Sequence, residues 1–174
     1  EGAELMVLRG AREFLKGGPD RPIHPANPDA DADYVDVRTI DLADVEPYVI
    51  MPHSVPKNGA RLSVFDRKVA IDQAFVGSCA NGQIEDFRVV ARILRGRKVA
   101  PGVRFVITPG SQNIYLQAIR EGLIETMIEA GAVVTNSTCG ACYGGHMGLV
   151  GAGEVRITAS TRNFKGSMGS SEAE

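Results

Sequence analysis

No apolar run in this chain approaches the ~20 residues that a membrane-spanning helix requires, and nothing at its start resembles a signal peptide. Neither sign of charge is in excess. A formal net charge of −2 argues against a protein that works on nucleic acid or on an anionic membrane surface. Cysteine is scarce, with three in all. That number leaves one sulfur over from any disulfide pairing and falls one short of the four ligands of a structural zinc site. Reduced thiols make the cytoplasm the default compartment. What remains is an ordinary globular composition: 174 residues, 44% hydrophobic and 23% charged, enough to bury one core. The chain opens at Glu1 without a methionine and stops at Glu174 without a closing element, so both ends read as cut from something longer.

The three cysteines are the chemistry-bearing residues. Cys79 lies in Gly77-Ser78-Cys79-Ala80-Asn81-Gly82, and Cys139 and Cys142 lie in Thr138-Cys139-Gly140-Ala141-Cys142. Three thiolates in Gly-rich loops suit an iron–sulfur cluster held at three corners, with a fourth iron left open as a Lewis acid. A C-x-x-C pair alone is weak, because zinc knuckles and redox dithiols share it. The glycines at 144 and 145, where a redox dithiol would begin a helix, count against that alternative. Cys79 in isolation would read as a buried core thiol; its loop setting moves it toward a ligand.

The pattern of elements adds position to this count. Residues 4–15 read as an amphipathic helix and 17–33 as a Pro-rich linker, together a segment 1–33 ahead of a domain 34–174. Tyr34–Leu42 alternates as a strand does, and 46–68, with Pro47, Pro52 and Pro56, reads as irregular. Strands are expected at Val69–Val76, Val103–Thr108, Ala132–Thr135 and Val155–Ala159. Between them, Ile84, Phe87, Val90, Ala91 and Leu94 recur at helical spacing after a turn that Asn81 is placed to cap, and 112–130 is helical but weakened at Gly122. The order β-α-β-α-β-β predicts an α/β fold, a three-layer αβα domain with a mostly parallel sheet. Ligands of such sheets bind beyond the carboxyl ends of the strands. Cys79 follows the first strand, Cys139 and Cys142 the third, and Ser160-Thr161-Arg162-Asn163 the fourth, provided that strand is parallel. Three sulfurs and an arginine are thereby expected at one edge.

Other residues have plainer readings. Arg162 is either a solvated charge or, facing the cysteines, a planar fork for a carboxylate. His146 reads as a backbone-bonded structural histidine or as a neighbour of the cluster loop. His24 and His53 fall in Pro-rich loops. Ser111 reads as a helix N-cap in preference to an anion site, and Glu85 and Asp86 as helix-surface charges.

Residues 76–86, from Val76-Gly77-Ser78-Cys79 to Glu85-Asp86, together with Thr138-Cys139-Gly140-Ala141-Cys142-Tyr143-Gly144-Gly145-His146-Met147-Gly148 and Gly153-Glu154-Val155, resemble the cluster loops of the aconitase superfamily, most closely its isopropylmalate dehydratase and homoaconitase branch. The resemblance covers roughly residues 30–174 and corresponds to the third, cluster-bearing domain. It implies a [4Fe–4S] cluster held by Cys79, Cys139 and Cys142. It also implies a hydro-lyase that dehydrates and rehydrates a small hydroxy-di- or tricarboxylate, with Ser160, Arg162 and Asn163 at the substrate. The base and further arginines would come from other domains or from a small swivel-domain subunit, so no catalytic residue is assigned here. Two departures stand out: Thr161 replaces an expected asparagine, and Ser167 an arginine that helps hold substrate. A shifted substrate is one consequence; Lys165 supplies charge there without the fork. Two other classes stay open, a non-catalytic binding or sensor relative of the same fold and a zinc-stabilised structural domain.

Overall fold

The computed structural model describes residues 28–52, 58–143, 146–161 and 164–174. The expected helix at 4–15, most of the 17–33 linker, and His24, His53, Arg162 and Asn163 lie outside these residues. The chain divides into two compact units, Glu1–Glu46 and Pro47–Glu174.

In the first unit the expected strand Tyr34–Leu42 does not form. The alternation of Val35, Val37 and Thr39 is real, but among the described residues no neighbouring strand takes up the backbone N–H and C=O groups, and Val35 and Val37 are exposed. The regular structure described there is a 3₁₀ turn, Leu42–Asp44, whose first turn is capped by the Asp41 carboxylate accepting from the Ala43 N–H at 2.9 Å.

The second unit opens with structure where irregular chain was expected. β1 (Tyr48–Ile50) and β2 (Gly59–Arg61) pair antiparallel, Tyr48 opposite Arg61. Pro47 and Pro52 flank β1 and interrupt no ladder bond, which is where strands tolerate proline. A 3₁₀ turn, Leu62–Val64, follows.

The main sheet has four parallel strands in the order β5-β4-β3-β6. These are β3 (Gln73–Gly77), β4 (Arg104–Thr108), β5 (Val133–Val134) and β6 (Arg156–Thr158). Each is shorter than its expected span, because only these residues find ladder partners; Asp72, for instance, caps the β6 entrance by accepting from the Val155 N–H at 2.8 Å. The short helix α1 (Ser78–Asn81) follows β3, and α2 (Ile84–Leu94) follows it. The single helix expected over 112–130 breaks at Gly122, φ +70°, into α3 (Gln112–Arg120) and α4 (Leu123–Glu129). Ser111 caps α3, accepting from the Ile114 N–H at 3.2 Å.

Period-two alternation gives the sheet two faces. Val76, Phe105, Ile107 and Val134 meet the helices, where Phe87 and Met127 are fully buried with Ile84, Val90, Ala91 and Leu94 of α2. Phe75 and Val106 point the other way, onto Ala141 and Cys142 of the 3₁₀ turn Gly140–Cys142. The turn carrying two of the cysteines is therefore part of the covering of the second face.

Candidate metal centre

Thr108, the last residue of β4 and fully buried, is the seat on which both cysteine-bearing segments rest. Gly77 is its register partner across the sheet, at φ +141°, and a Cβ at Gly77 would overlap the Thr108 backbone. Gly140, at φ +52°, approaches the same residue from the opposite segment, and a Cβ there would overlap the Thr108 hydroxyl. Glycine at both positions satisfies the backbone conformation and the close approach together. The Thr108 hydroxyl is itself fixed against Thr135 Oγ1 at 2.8 Å.

From this seat the thiols are presented differently. Ser78 starts α1 with φ +64°, a left-handed conformation costly for a residue with a side chain, and this sharp turn leaves Cys79 exposed. The Cys79 carbonyl accepts from Gln83 Nε2 at 2.8 Å. Cys139 is also exposed, and its carbonyl accepts from the Cys142 N–H at 3.0 Å. Cys142 is buried, with its sulfur 2.9 Å from Ser160 Oγ. All three are free thiols. Two links join the segments at the carboxyl edge: Asn81 Nδ2 donates to the Ala159 carbonyl, and Cys142 meets Ser160. Because β6 is parallel to β3, Ser160 leaves the sheet at the edge where Cys79 does. Among the described residues no three His, Cys, Asp or Glu side chains are gathered closely enough to hold a metal ion. The fold brings the thiols to one edge and leaves the last approach to the loops.

Several side chains differ from expectation. Asn81 does not cap α2; Gln83 does, and its N–H donates to Asp86 Oδ2 at 2.9 Å, so Asp86 is part of the cap and not simply a surface charge. His146 is exposed and has no hydrogen bond among the described residues. It lines an open cavity of about 680 Å³ with Val106, Asn136, Thr138 and Met147. Thr161 is exposed, and the Ser167 hydroxyl is buried without a hydrogen-bond partner.

Arg156 carries no chemical motif, yet it lies under the Cys142 turn. Its Nε donates to Gln73 Oε1 at 2.6 Å and its Nη1 to the Ala141 carbonyl at 2.7 Å, and Nη2 donates to Gln73 Oε1 and to the Gly148 carbonyl. Burial, and then the nearby Arg104 charge, push the guanidinium down to about 10, against the opposing pull of Cys142 and Glu154. The sequence does hold a sign of this role, a charged residue between the apolar Val155 and Ile157 at the start of a strand. Thr108 has no such sign. Nearby, Arg104 and Glu154 form a two-pronged ion pair at 2.9 and 2.6 Å, and with the Gly151 N–H this holds the Glu154 carboxyl down to about 2.

Residues 55–174 match the model of the aconitase family (aconitate hydratase). The chain belongs to that family. Among its relatives is the 3-isopropylmalate dehydratase large subunit of Mycolicibacterium smegmatis, 57% identical over 150 residues, covering 86% of this chain and 35% of that protein. The 3-isopropylmalate dehydratase large subunit 2 of Rubrobacter xylanophilus is 52% identical over 176 residues, covering 99% of this chain and 41% of that protein. A large subunit from Clostridioides difficile is 50% identical over 146 residues, covering 84% and 34%. The chain thus spans 34–41% of the length of these aconitase-family relatives.

Proposed function

We propose that this chain is the iron–sulfur-binding part of an aconitase-type hydro-lyase acting on a small hydroxy-di- or tricarboxylate of the 3-isopropylmalate or homoaconitate type. The observation that carries the reading is the three free thiols on segments that share the Thr108 seat and leave the sheet at one edge. The donor chemistry fits: none of the sulfurs is spent in a disulfide, and three thiolates suffice for a [4Fe–4S] cluster with one open iron. When bound, that group supplies a Lewis acid for a substrate hydroxyl and carboxylate.

The residues of this chain have narrower tasks. Cys79, Cys139 and Cys142 hold the cluster. Ser160 steadies the Cys142 sulfur through the contact at 2.9 Å. Arg162, two residues further on, orients a substrate carboxylate with its paired N–H groups, and Asn163 adds hydrogen bonds. No residue of this chain is assigned the proton from the neighbouring carbon; that base belongs to segments present in the longer relatives or to a separate small subunit, consistent with the relatives being called large subunits. Among the described residues no helix is long and apolar enough to cross a membrane, and free thiols favour the reducing cytoplasm.

Anaerobic reconstitution with iron and sulfide tests the proposal. The protein is expected to take up both, with a broad brown absorbance, and Cys79→Ser to abolish it because two thiolates retain the group poorly. Stoichiometric zinc with no iron uptake under reduction overturns the reading in favour of a structural zinc domain. In an assembled, active enzyme, Arg162→Lys is expected to lower kcat/KM strongly at unchanged iron content, since lysine keeps the charge and loses the fork. Full cluster binding without turnover in the assembled protein points instead to a sensor relative.

A further inference from the structure

We propose that Arg156 is the positioning residue of the Cys142 turn, one planar group that pins Ala141 within that turn, and Gly148 beyond it, to β3 so that the third thiol is held for its ligand role. The inference rests on the cluster-binding reading above and adds to it a residue that does not itself ligate.

The geometry is specific. Ala141 precedes Cys142 and Gly148 lies six residues after it, and both carbonyls accept from one guanidinium. The other side of that guanidinium is fixed on Gln73 Oε1, in the first residue of β3. The Cys142 turn, Gly148 and the sheet are thereby joined through a single rigid fork, which an ammonium on a flexible stem cannot reproduce. The Phe75 ring lies 5.8 Å from the guanidinium carbon and limits its tilt.

The cost of the arrangement argues that it serves position. Gln73 is fully buried at the start of β3, and its Nε2 has no hydrogen-bond partner. An apolar pair would fill this space without leaving an amide unsatisfied, and buried polar groups of this kind are poor sources of stability. Every acceptor of Arg156 is also a neutral oxygen, and among the described residues no carboxylate lies within ion-pair distance of it. A half-buried cation whose hydrogen bonds among the described residues all go to neutral oxygens, with the Glu154 carboxylate acting on it from beyond ion-pair distance, favours a negatively charged ligand set at the thiol-bearing turn above it.

Site-resolved alkylation of the metal-free full chain tests the proposal. Iodoacetamide labelling is followed by mass spectrometry of the cysteine peptides. Exposed Cys79 serves as the internal reference, and buried Cys142 reports on the turn. Arg156→Lys is expected to speed Cys142 labelling about tenfold relative to Cys79, the factor expected from losing one charged hydrogen bond, while the far-UV circular dichroism stays unchanged. The same variant is expected to retain less iron and sulfide after anaerobic reconstitution. An unchanged Cys142-to-Cys79 ratio overturns the proposal. Should Arg156→Lys fail to fold, Gln73→Met detaches the same guanidinium from the sheet and is expected to give the same change in ratio. Loss of the far-UV signal in both variants also overturns it, since the pair would then serve the fold as a whole. A wild-type chain that takes up no iron defeats the cluster reading alone, and the labelling ratio still decides the role of Arg156.

Discussion

Gly140 and Gly96 both hold positive φ, +52° and +70°, but only Gly140 has its α-carbon against another residue, the side chain of Thr108; around Gly96 nothing lies within 4 Å. Gly96→Ala therefore carries only the left-handed backbone penalty, ~1–2 kcal/mol. Gly140→Ala adds a steric overlap that Thr108 cannot relieve without disturbing its bond to Thr135, and is expected to cost at least ~1 kcal/mol more. Urea denaturation of the two variants measures the difference, and equal losses would remove Thr108 as the seat. Ser167 gives the opposite sign. Its buried hydroxyl lacks a partner, so Ser167→Ala is expected to be neutral or stabilising by up to ~1 kcal/mol in the same measurement. At this scale the cysteines were legible because their type, number and loop setting are chemical statements. Thr108 was not, because a threonine closing a strand looks like any other. Arg156 was partly so, as a charge set between the apolar Val155 and Ile157.

Elements were legible where burial enforces the period. All five apolar positions assigned to the face of α2 are buried, and the strands of the main sheet fall within their expected spans but for the terminal Gly77 of β3. Where partners decide the outcome, local pattern misled: Tyr34–Leu42 has the alternation of a strand but no neighbouring strand among the described residues, while β1 and β2 pair in a proline-rich stretch that suggested no strand. Just ahead of β6 lies another partner contact, the Arg104–Glu154 pair reaching from β4. Pairing with Arg104 lowers the Glu154 carboxyl from its ordinary 4.5 to about 2. A carboxylate depressed on folding contributes stability that is whole above its unfolded pKa and is lost as pH falls through the folded one. The stability difference between wild type and Glu154→Gln is therefore expected to be constant above about pH 4.5 and to shrink toward pH 2. Chemical denaturation across that window checks it, and a difference independent of pH would mean that the pair contributes nothing through charge.

At the scale of the whole molecule, the parallel order β5-β4-β3-β6 turns three distant segments into neighbours, with Cys79 after β3, the Cys139–Cys142 turn after β5 and Ser160 after β6. That convergence could be read from strand order and the carboxyl-edge rule alone. The missing part is closure, since the thiols share an edge without forming a metal-ligating group among the described residues. A group that bridges the two cysteine-bearing segments binds only the folded chain, so its binding free energy adds to folding stability. Reconstituted protein is accordingly expected to melt at a higher temperature than the metal-free chain. The increment should vanish in Cys79→Ser, whose metal-free melting temperature should match that of wild type, because Cys79 is exposed and contributes little packing. Anaerobic differential scanning calorimetry of the four samples makes the comparison. An increment that survives Cys79→Ser would assign the bound metal to the Cys139–Cys142 turn alone and remove the loop after β3 from the centre.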